Sequence, residues 1–97
     1  MIEFIDSVDF KKHIIFQVFN IDNEYGCYVK DLRKKETGAF HIFSKDRVFD
    51  IKLLNLGSNT VLIVYRRYSY YYSRVASRRG LLISFSDEYK LPKLKKI

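Results

Sequence analysis

Residues 61–74 contain the side chains whose types and spacing could do chemistry. The segment reads V-L-I-V-Y-R-R-Y-S-Y-Y-Y-S-R and holds five of the eight tyrosines in this chain of 97 residues. Tyrosine rings are flat surfaces on which bases stack, and arginine side chains neutralise phosphates. In a single strand, side chains two residues apart share a face, which would align Arg66, Tyr68, Tyr70, Tyr72 and Arg74. The pattern is typical of a surface for single-stranded nucleic acid, although Tyr also lines half-buried sheets and protein interfaces.

The net charge of +7 lies in the second part of the chain. Residues 1–40 carry six Lys and Arg against seven Asp and Glu, whereas residues 41–97 carry twelve against four. This asymmetry favours an anionic partner, such as nucleic acid, an anionic membrane surface or an acidic protein. We therefore predict that Arg66, Arg74, Arg78 and Arg79 contact phosphates.

Motifs of the common enzyme classes are absent from the sequence. There is no P-loop, dinucleotide-binding glycine motif, H-E-x-x-H or G-x-S-x-G. Cys27, His13 and His41 provide too few soft ligands for a typical zinc site, and one cysteine cannot form an internal disulfide. We expect a protein without cofactor or metal that is not an enzyme. The alternative of a metal-independent ribonuclease of the bacterial toxin type stays open, because catalysis by Arg, Lys and Tyr side chains leaves no compact sequence motif.

The sequence predicts neither a membrane span nor a secretory signal. No apolar run approaches the 18 or more residues typical of a span, and the first residues, M-I-E-F-I-D, lack a basic start followed by an apolar stretch. With a single cysteine, the cytosol or a nucleus is the expected compartment.

Alternating apolar residues and turn signals divide the chain into predicted strands. These strands cover residues 1–10, 13–21, 27–32, 39–44, 48–56, 61–70 and 81–85. The predicted connections are turns at residues 22–26, 33–38 and 57–59 and a basic loop at residues 76–80. Ser84 or Ser86 followed by Asp87 and Glu88 predicts a helix start, and Pro92 limits that helix to a turn or two.

The expected fold class is mostly β, within α+β. We predict a twisted antiparallel sheet of about six to seven strands with a short C-terminal helix. We expect residues 1–97 to form a single domain, in which residues 1–39 supply N-terminal strands and a hairpin and residues 40–97 supply the basic sheet and the helix. A chain of this size is marginal as a monomer, so we expect a homodimer.

Three stretches between residues 43 and 89 follow the order of features in a known family. They are S-K-D-R-V at residues 44–48, L-I-V-Y-R-R-Y at residues 62–68 and R-G-L-L-I-S at residues 79–84. In this order they resemble the positive cofactor four family of transcriptional coactivators, small dimeric proteins that bind single-stranded DNA. The resemblance implies that the contacts to DNA include Lys45, Arg47, Arg66, Tyr68, Arg78 and Arg79. Ser69, Leu82 and Pro92 depart from the residues usual in that family.

The sequence thus predicts a protein that binds single-stranded DNA or RNA, with Tyr68, Tyr70 and Tyr72 stacking bases. A transcription or replication accessory factor would have this chemistry. The alternative is a phage or viral accessory protein that binds and inhibits a host protein through the same Tyr and Arg face, because these residue types are also favoured at protein interfaces.

Overall fold

The computed structural model describes residues 1–93, which form ten β-strands in two antiparallel sheets and contain no helix. The strands are β1 (Ile2–Lys11), β2 (Ile14–Ile21), β3 (Glu24–Asp31), β4 (Glu36–Thr37), β5 (His41–Ser44), β6 (Phe49–Gly57), β7 (Thr60–Arg67), β8 (Tyr70–Arg79), β9 (Leu82–Phe85) and β10 (Tyr89–Lys90). Within these residues, no helix is long and apolar enough to cross a bilayer.

The first sheet is a meander of β1, β2 and β3, with two short strands on the free edge of β3. Strand β4 pairs with the end of β3, and β5 pairs with its beginning. The β2–β3 turn consists of Asp22 and Asn23, both at positive φ. Asn and Asp tolerate this left-handed conformation better than most residues, so this turn is well specified by the sequence.

The second sheet repeats this plan with different residues. Strands β6, β7 and β8 form the meander, while β9 and β10 occupy the free edge of β8. The β6–β7 turn consists of Ser58 and Asn59, again both at positive φ. The chain therefore contains a repeat of topology that has no visible counterpart in its sequence.

The two sheets face each other around one hydrophobic core. The first sheet contributes Phe16, Val18 and Cys27, and the second contributes Val61, Ile63 and Tyr65; all six side chains are fully buried. Alternate residues of each strand point into this core, so the prediction of a mostly β fold is confirmed. The prediction of a single sheet of about six to seven strands is wrong, because the strands divide into two five-stranded sheets that bury their apolar faces against each other. The predicted strands at residues 1–10, 13–21, 39–44, 48–56 and 81–85 are present with bounds shifted by a few residues.

Three local predictions are wrong. Residues 61–74 are a hairpin, not one strand, because β7 ends at Arg67 and β8 begins at Tyr70. The predicted basic loop at residues 76–80 belongs mostly to β8, which continues to Arg79. The predicted C-terminal helix is absent from the described residues, since residues 86–88 are irregular and β10 follows. Pairing with β8 satisfies this backbone better than a helix that Pro92 would stop after a turn.

Gly38 allows the two sheets to approach at one end of the molecule. A Cβ atom at this position would lie 2.3 Å from the backbone oxygen of Leu81, in the β8–β9 turn. Gly38 also donates its N–H to Val29 O at 2.8 Å, so it cannot withdraw without breaking a hydrogen bond. The close contact holds the connection after β3 against the second sheet.

We expect Gly38→Ala to lower the free energy of unfolding by about 1–3 kcal/mol, because one backbone segment must move to admit the methyl group. Urea unfolding followed by tyrosine fluorescence measures the change. Gly57→Asn is the matched control: a Cβ atom at Gly57 would have no neighbour within 4 Å, and this residue lies at φ +82°, which Asn tolerates. A loss for Gly38→Ala no larger than for this control would contradict the close contact.

Candidate nucleic-acid interface

The β7–β8 turn presents a cluster of exposed rings, which we call the aromatic tip: Phe49, Tyr68, Tyr70 and Tyr71. Their exposed fractions are 39, 83, 40 and 43%, respectively. The hairpin register opposes Arg66 to Tyr71 and Arg67 to Tyr70. Rings from the turn and from two strands therefore gather at one end of the second sheet.

The turn itself is strained at Tyr68, whose φ is +56°. A bulky residue rarely adopts this conformation. Arg66 supports the turn by donating a hydrogen bond from Nη1 to Tyr68 O at 2.8 Å. The same guanidinium donates from Nε to Asp50 Oδ2 at 2.9 Å, and the Tyr71 hydroxyl donates to that oxygen at 3.3 Å.

Asp50 thus ties β6 to the hairpin. It also lies at positive φ, +52°, where the β6–β7 register shifts. The hydrogen bond from Arg66 outweighs the opposing effect of desolvation and lowers the pKa of the Asp50 carboxyl. The carboxylate is charged at neutral pH and neutralises one of the cations at the tip.

Cations stack directly on two of the tip rings. The guanidinium carbons of Arg47 and Arg66 lie 5.3 and 4.9 Å from the ring centroid of Phe49. The ammonium nitrogens of Lys90 and Lys93 lie 3.6 and 5.8 Å from the centroid of Tyr70. These cation–π contacts fix four positive groups among exposed rings.

A groove runs beside the tip between the hairpin turn and the segment after β10. It encloses about 500 Å³ and is lined by Ser69, Tyr70, Tyr71, Leu91, Pro92 and Lys93. Leu91 is held there by donating its N–H to Tyr71 O at 2.8 Å. The groove has an aromatic wall, an apolar wall and a cation at its rim.

On the inner side of the same hairpin lies an ion pair that the sequence did not predict. Arg67 donates from Nη1 to Glu88 Oε1 and from Nη2 to Glu88 Oε2, both at 3.0 Å. The side chains are only 19 and 22% exposed. The Tyr65 hydroxyl donates to the same carboxylate, and the Arg67 guanidinium lies 5.1 Å from the Tyr72 ring centroid. A charge at this depth requires a partner of this geometry.

The titration behaviour follows from these contacts. Burial disfavours ionisation of Glu88, but hydrogen bonds from Arg67 and Tyr65 outweigh it and keep the pKa of Glu88 below its ordinary value. Burial, aided by the hydrogen bond to Glu88, raises the pKa of Tyr65 to about 12. At neutral pH the network therefore contains a carboxylate, a neutral phenol and a guanidinium.

The predicted site residues do not lie on one face. Tyr72 stacks on Tyr65 at 6.2 Å between centroids, and Arg74 donates to Tyr65 Oη at 3.3 Å and Ser86 O at 3.1 Å. Both belong to the inner network. Arg78 and Arg79 lie at the far end of β8, roughly 30 Å from Tyr70 at the usual rise of a strand. Lys45 is exposed in the connection before β6.

Arg47, Arg66, Tyr68 and Tyr70 are thus the predicted residues that the structure brings together. Sequence reasoning missed Phe49, Tyr71, Lys90 and Lys93, which complete the tip. The signal that could have revealed the hairpin was length, because 14 residues exceed a usual strand and imply a turn. The turn could not be located, since Ser69 is a weak turn signal between tyrosines and the pair Tyr68-Ser69 lacks the Gly, Asn or Asp that marks most two-residue hairpins.

Cys27 and the histidines provide no second site. The thiol of Cys27 is buried, and burial raises its pKa, so a reactive thiolate is not formed at neutral pH. Within the part of the chain that the structure describes, no three His, Cys, Asp or Glu side chains gather as metal ligands would.

We expect Glu88→Gln to lower the free energy of unfolding by roughly 2 kcal/mol, less than breaking a fully buried pair because some solvent reaches both groups. The pKa of Glu88 is lower in the folded chain than in the unfolded chain. Its contribution is therefore complete above pH 4.5, the ordinary value, and is lost as the pH falls through the lowered pKa.

Urea unfolding of wild type and Glu88→Gln, measured from neutral pH down to below pH 4.5, checks both the loss of stability and its pH dependence. Glu3→Gln removes the same charge from an exposed position of β1 and should leave the stability and its pH dependence nearly unchanged. Equal pH profiles for wild type and Glu88→Gln would show that the pair contributes nothing.

Comparisons with protein-family models, curated proteins and solved structures find no match to this chain. The resemblance of residues 43–89 to the coactivator family stays a prediction.

Proposed function

We propose that the protein binds single-stranded nucleic acid at the aromatic tip. The observation that carries this proposal is the alternation of exposed rings with fixed cations, Arg47–Phe49–Arg66 on one side and Lys90–Tyr70–Lys93 on the other. Single strands are held by this combination, because bases stack on aromatic groups while cations follow the phosphates.

Tyr68 is the principal stacking group. Its ring is the most exposed at the tip, and no ring or cation of the described residues stacks on it. Tyr70 has Lys90 on its ring, so a base stacks there only on the side away from the ammonium. The planar guanidinium of Arg47 is a further stacking surface, since arginine contributes cation–π contacts to bases.

The groove beside the tip fits the same occupant. Its volume of about 500 Å³ lies in the range of small-ligand sites, which accommodates a base that leaves the strand and enters between Tyr71 and Pro92. Lys93 at the rim lies beside the phosphate of such a nucleotide. A duplex keeps its bases stacked inside and would use the cations alone, so we expect single strands to bind more tightly.

Replacing the ring of Tyr68 tests the stacking role. Tyr68→Asn removes the ring while keeping a residue that tolerates positive φ, and we expect about 5- to 150-fold weaker binding of a short single strand, as one stacked base predicts. Tyr68→Phe keeps the ring and should bind as wild type. Fluorescence anisotropy with labelled DNA and RNA oligonucleotides measures both. Equal affinity of the Asn and Phe variants would exclude stacking on Tyr68.

The cations predict the salt dependence of binding. The slope of log K against log salt changes by about 0.7 for each single-strand phosphate contact. We expect Arg47 to hold one such phosphate, so Arg47→Gln should make the slope shallower by about that amount. Lys30→Gln is the matched control, because Lys30 points outward from the first sheet, opposite Thr37. Equal slopes for all three proteins, or no binding at low salt, would contradict the proposal.

A further inference from the structure

A basic pocket lies at the end of the molecule opposite the aromatic tip. It encloses about 320 Å³ and is lined in part by Lys11 at the end of β1, Arg33 and Lys34 after β3, and Arg78 near the end of β8. The sequence separates these residues widely, and the two sheets bring them together. Asp31 and Glu36 also line it, so its cations exceed its carboxylates by two.

Arg78 is held in place without an acidic partner. Its Nη2 donates to Asn59 Oδ1 at 2.8 Å, and its Nη1 donates to Gly80 O at 2.8 Å. Its guanidinium lies 5.7 Å from the ring centroid of Phe10, a buried residue. Among residues 1–93 Arg78 forms no ion pair, and its buried Nε has no hydrogen-bond partner.

Within the described part of the chain, Arg78 lacks the carboxylate partner that Arg67 has. Arg67 is also partly buried in the second sheet, and its Nε likewise has no hydrogen-bond partner among these residues, but it has Glu88 as a bidentate partner at 3.0 Å. Arg78 has only neutral oxygens. A partly buried guanidinium that is positioned by neutral groups retains its charge and spare donors for an anion.

The opposite wall is shaped by Asp31. Its Oδ1 accepts hydrogen bonds from the N–H groups of Arg33 at 3.0 Å and Lys34 at 3.3 Å. Burial works against ionisation of Asp31, but these two N–H groups outweigh it and lower the pKa of the carboxyl. The Asp31 charge is therefore engaged by the turn, and the turn carries two cations to the mouth of the pocket. Gly38, three residues beyond this turn, lies close to Leu81 in the β8–β9 turn.

We propose that this pocket binds a phosphate group. The guanidinium fork matches the paired oxygens of a phosphate, and lysine ammonium groups add charge without demanding a fixed direction. The shared chemistry is a phosphate monoester or diester. It comes either from a terminal phosphate or from the backbone of a polynucleotide.

Inorganic phosphate tests the pocket without any base. Titration of the ¹⁵N-labelled full-length protein with phosphate should give saturable shifts of the backbone amides of residues 33–36 and 78–81. We expect Arg78→Gln to weaken this binding by about tenfold or more, as the loss of a charge-assisted hydrogen bond predicts. Lys34→Gln alters only an exposed turn and should weaken it by a smaller factor while the fold is retained.

Lys52→Gln is the matched control, because it removes one charge from an exposed position on the outer face of β6. Phosphate binding should be unchanged in this variant. Shifts that do not saturate, or equal weakening by Lys52→Gln and by both pocket variants, would overturn the site and indicate general charge attraction.

Oligonucleotides with and without a 5′-phosphate identify the source of the group. Tighter binding of the phosphorylated form that disappears in Arg78→Gln supports the site and assigns it to a terminal phosphate. Equal binding of both forms, weakened alike by Arg78→Gln, supports it with a backbone phosphodiester as the ligand. Because inorganic phosphate cannot stack on Tyr68, the pocket and the aromatic tip are tested separately.

Discussion

The ion pair between Arg67 and Glu88 positions much of the rest of the second sheet. A guanidinium that is mostly buried must be neutralised, and the carboxylate that does so lies 21 residues later in the chain. Because Glu88 follows β9, its pairing with Arg67 places the segment after β9 alongside β8. Strand β10 then pairs with Tyr72 and Ser73, and the following residues reach the hairpin turn. The groove and the two lysines on Tyr70 are consequences of one inner contact.

The outer side of the hairpin is organised around one guanidinium as well. Arg66 contacts a carboxylate, a backbone oxygen and the face of an aromatic ring, which together compensate for a tight turn without glycine. Two adjacent arginines in the sequence therefore have different roles. The strand alternation sends Arg67 inward, where it pairs with Glu88, and Arg66 outward to the surface, where it pairs with Asp50.

The strands of the meanders could be predicted from the sequence because alternation and Asx turns are local properties. The positive φ values at Asp22, Asn23, Ser58 and Asn59 fall where turn residues are expected. The hairpin at Tyr68 could not be located, since its residues prefer strands and its turn is stabilised by Asp50, which is distant in sequence. The prediction of a C-terminal helix was wrong for a similar reason. The local helix signal at Ser86 and Asp87 is overridden by the pairing of β10 with β8. The net charge alone indicated an anionic partner. Only the fold shows that the cations gather at two opposite ends of the molecule.

The repeated plan of the two sheets has a consequence for how the chain folds. Every meander pair joins strands that follow each other directly, so ring closure during folding spans short loops and costs little chain entropy. Such pairings form on the microsecond scale of isolated hairpins. Contacts between the two sheets join residues far apart in the sequence, such as Asn55 of β6 and the carbonyl of Asp9 on β1, which are 46 residues apart, so closing them costs more chain entropy.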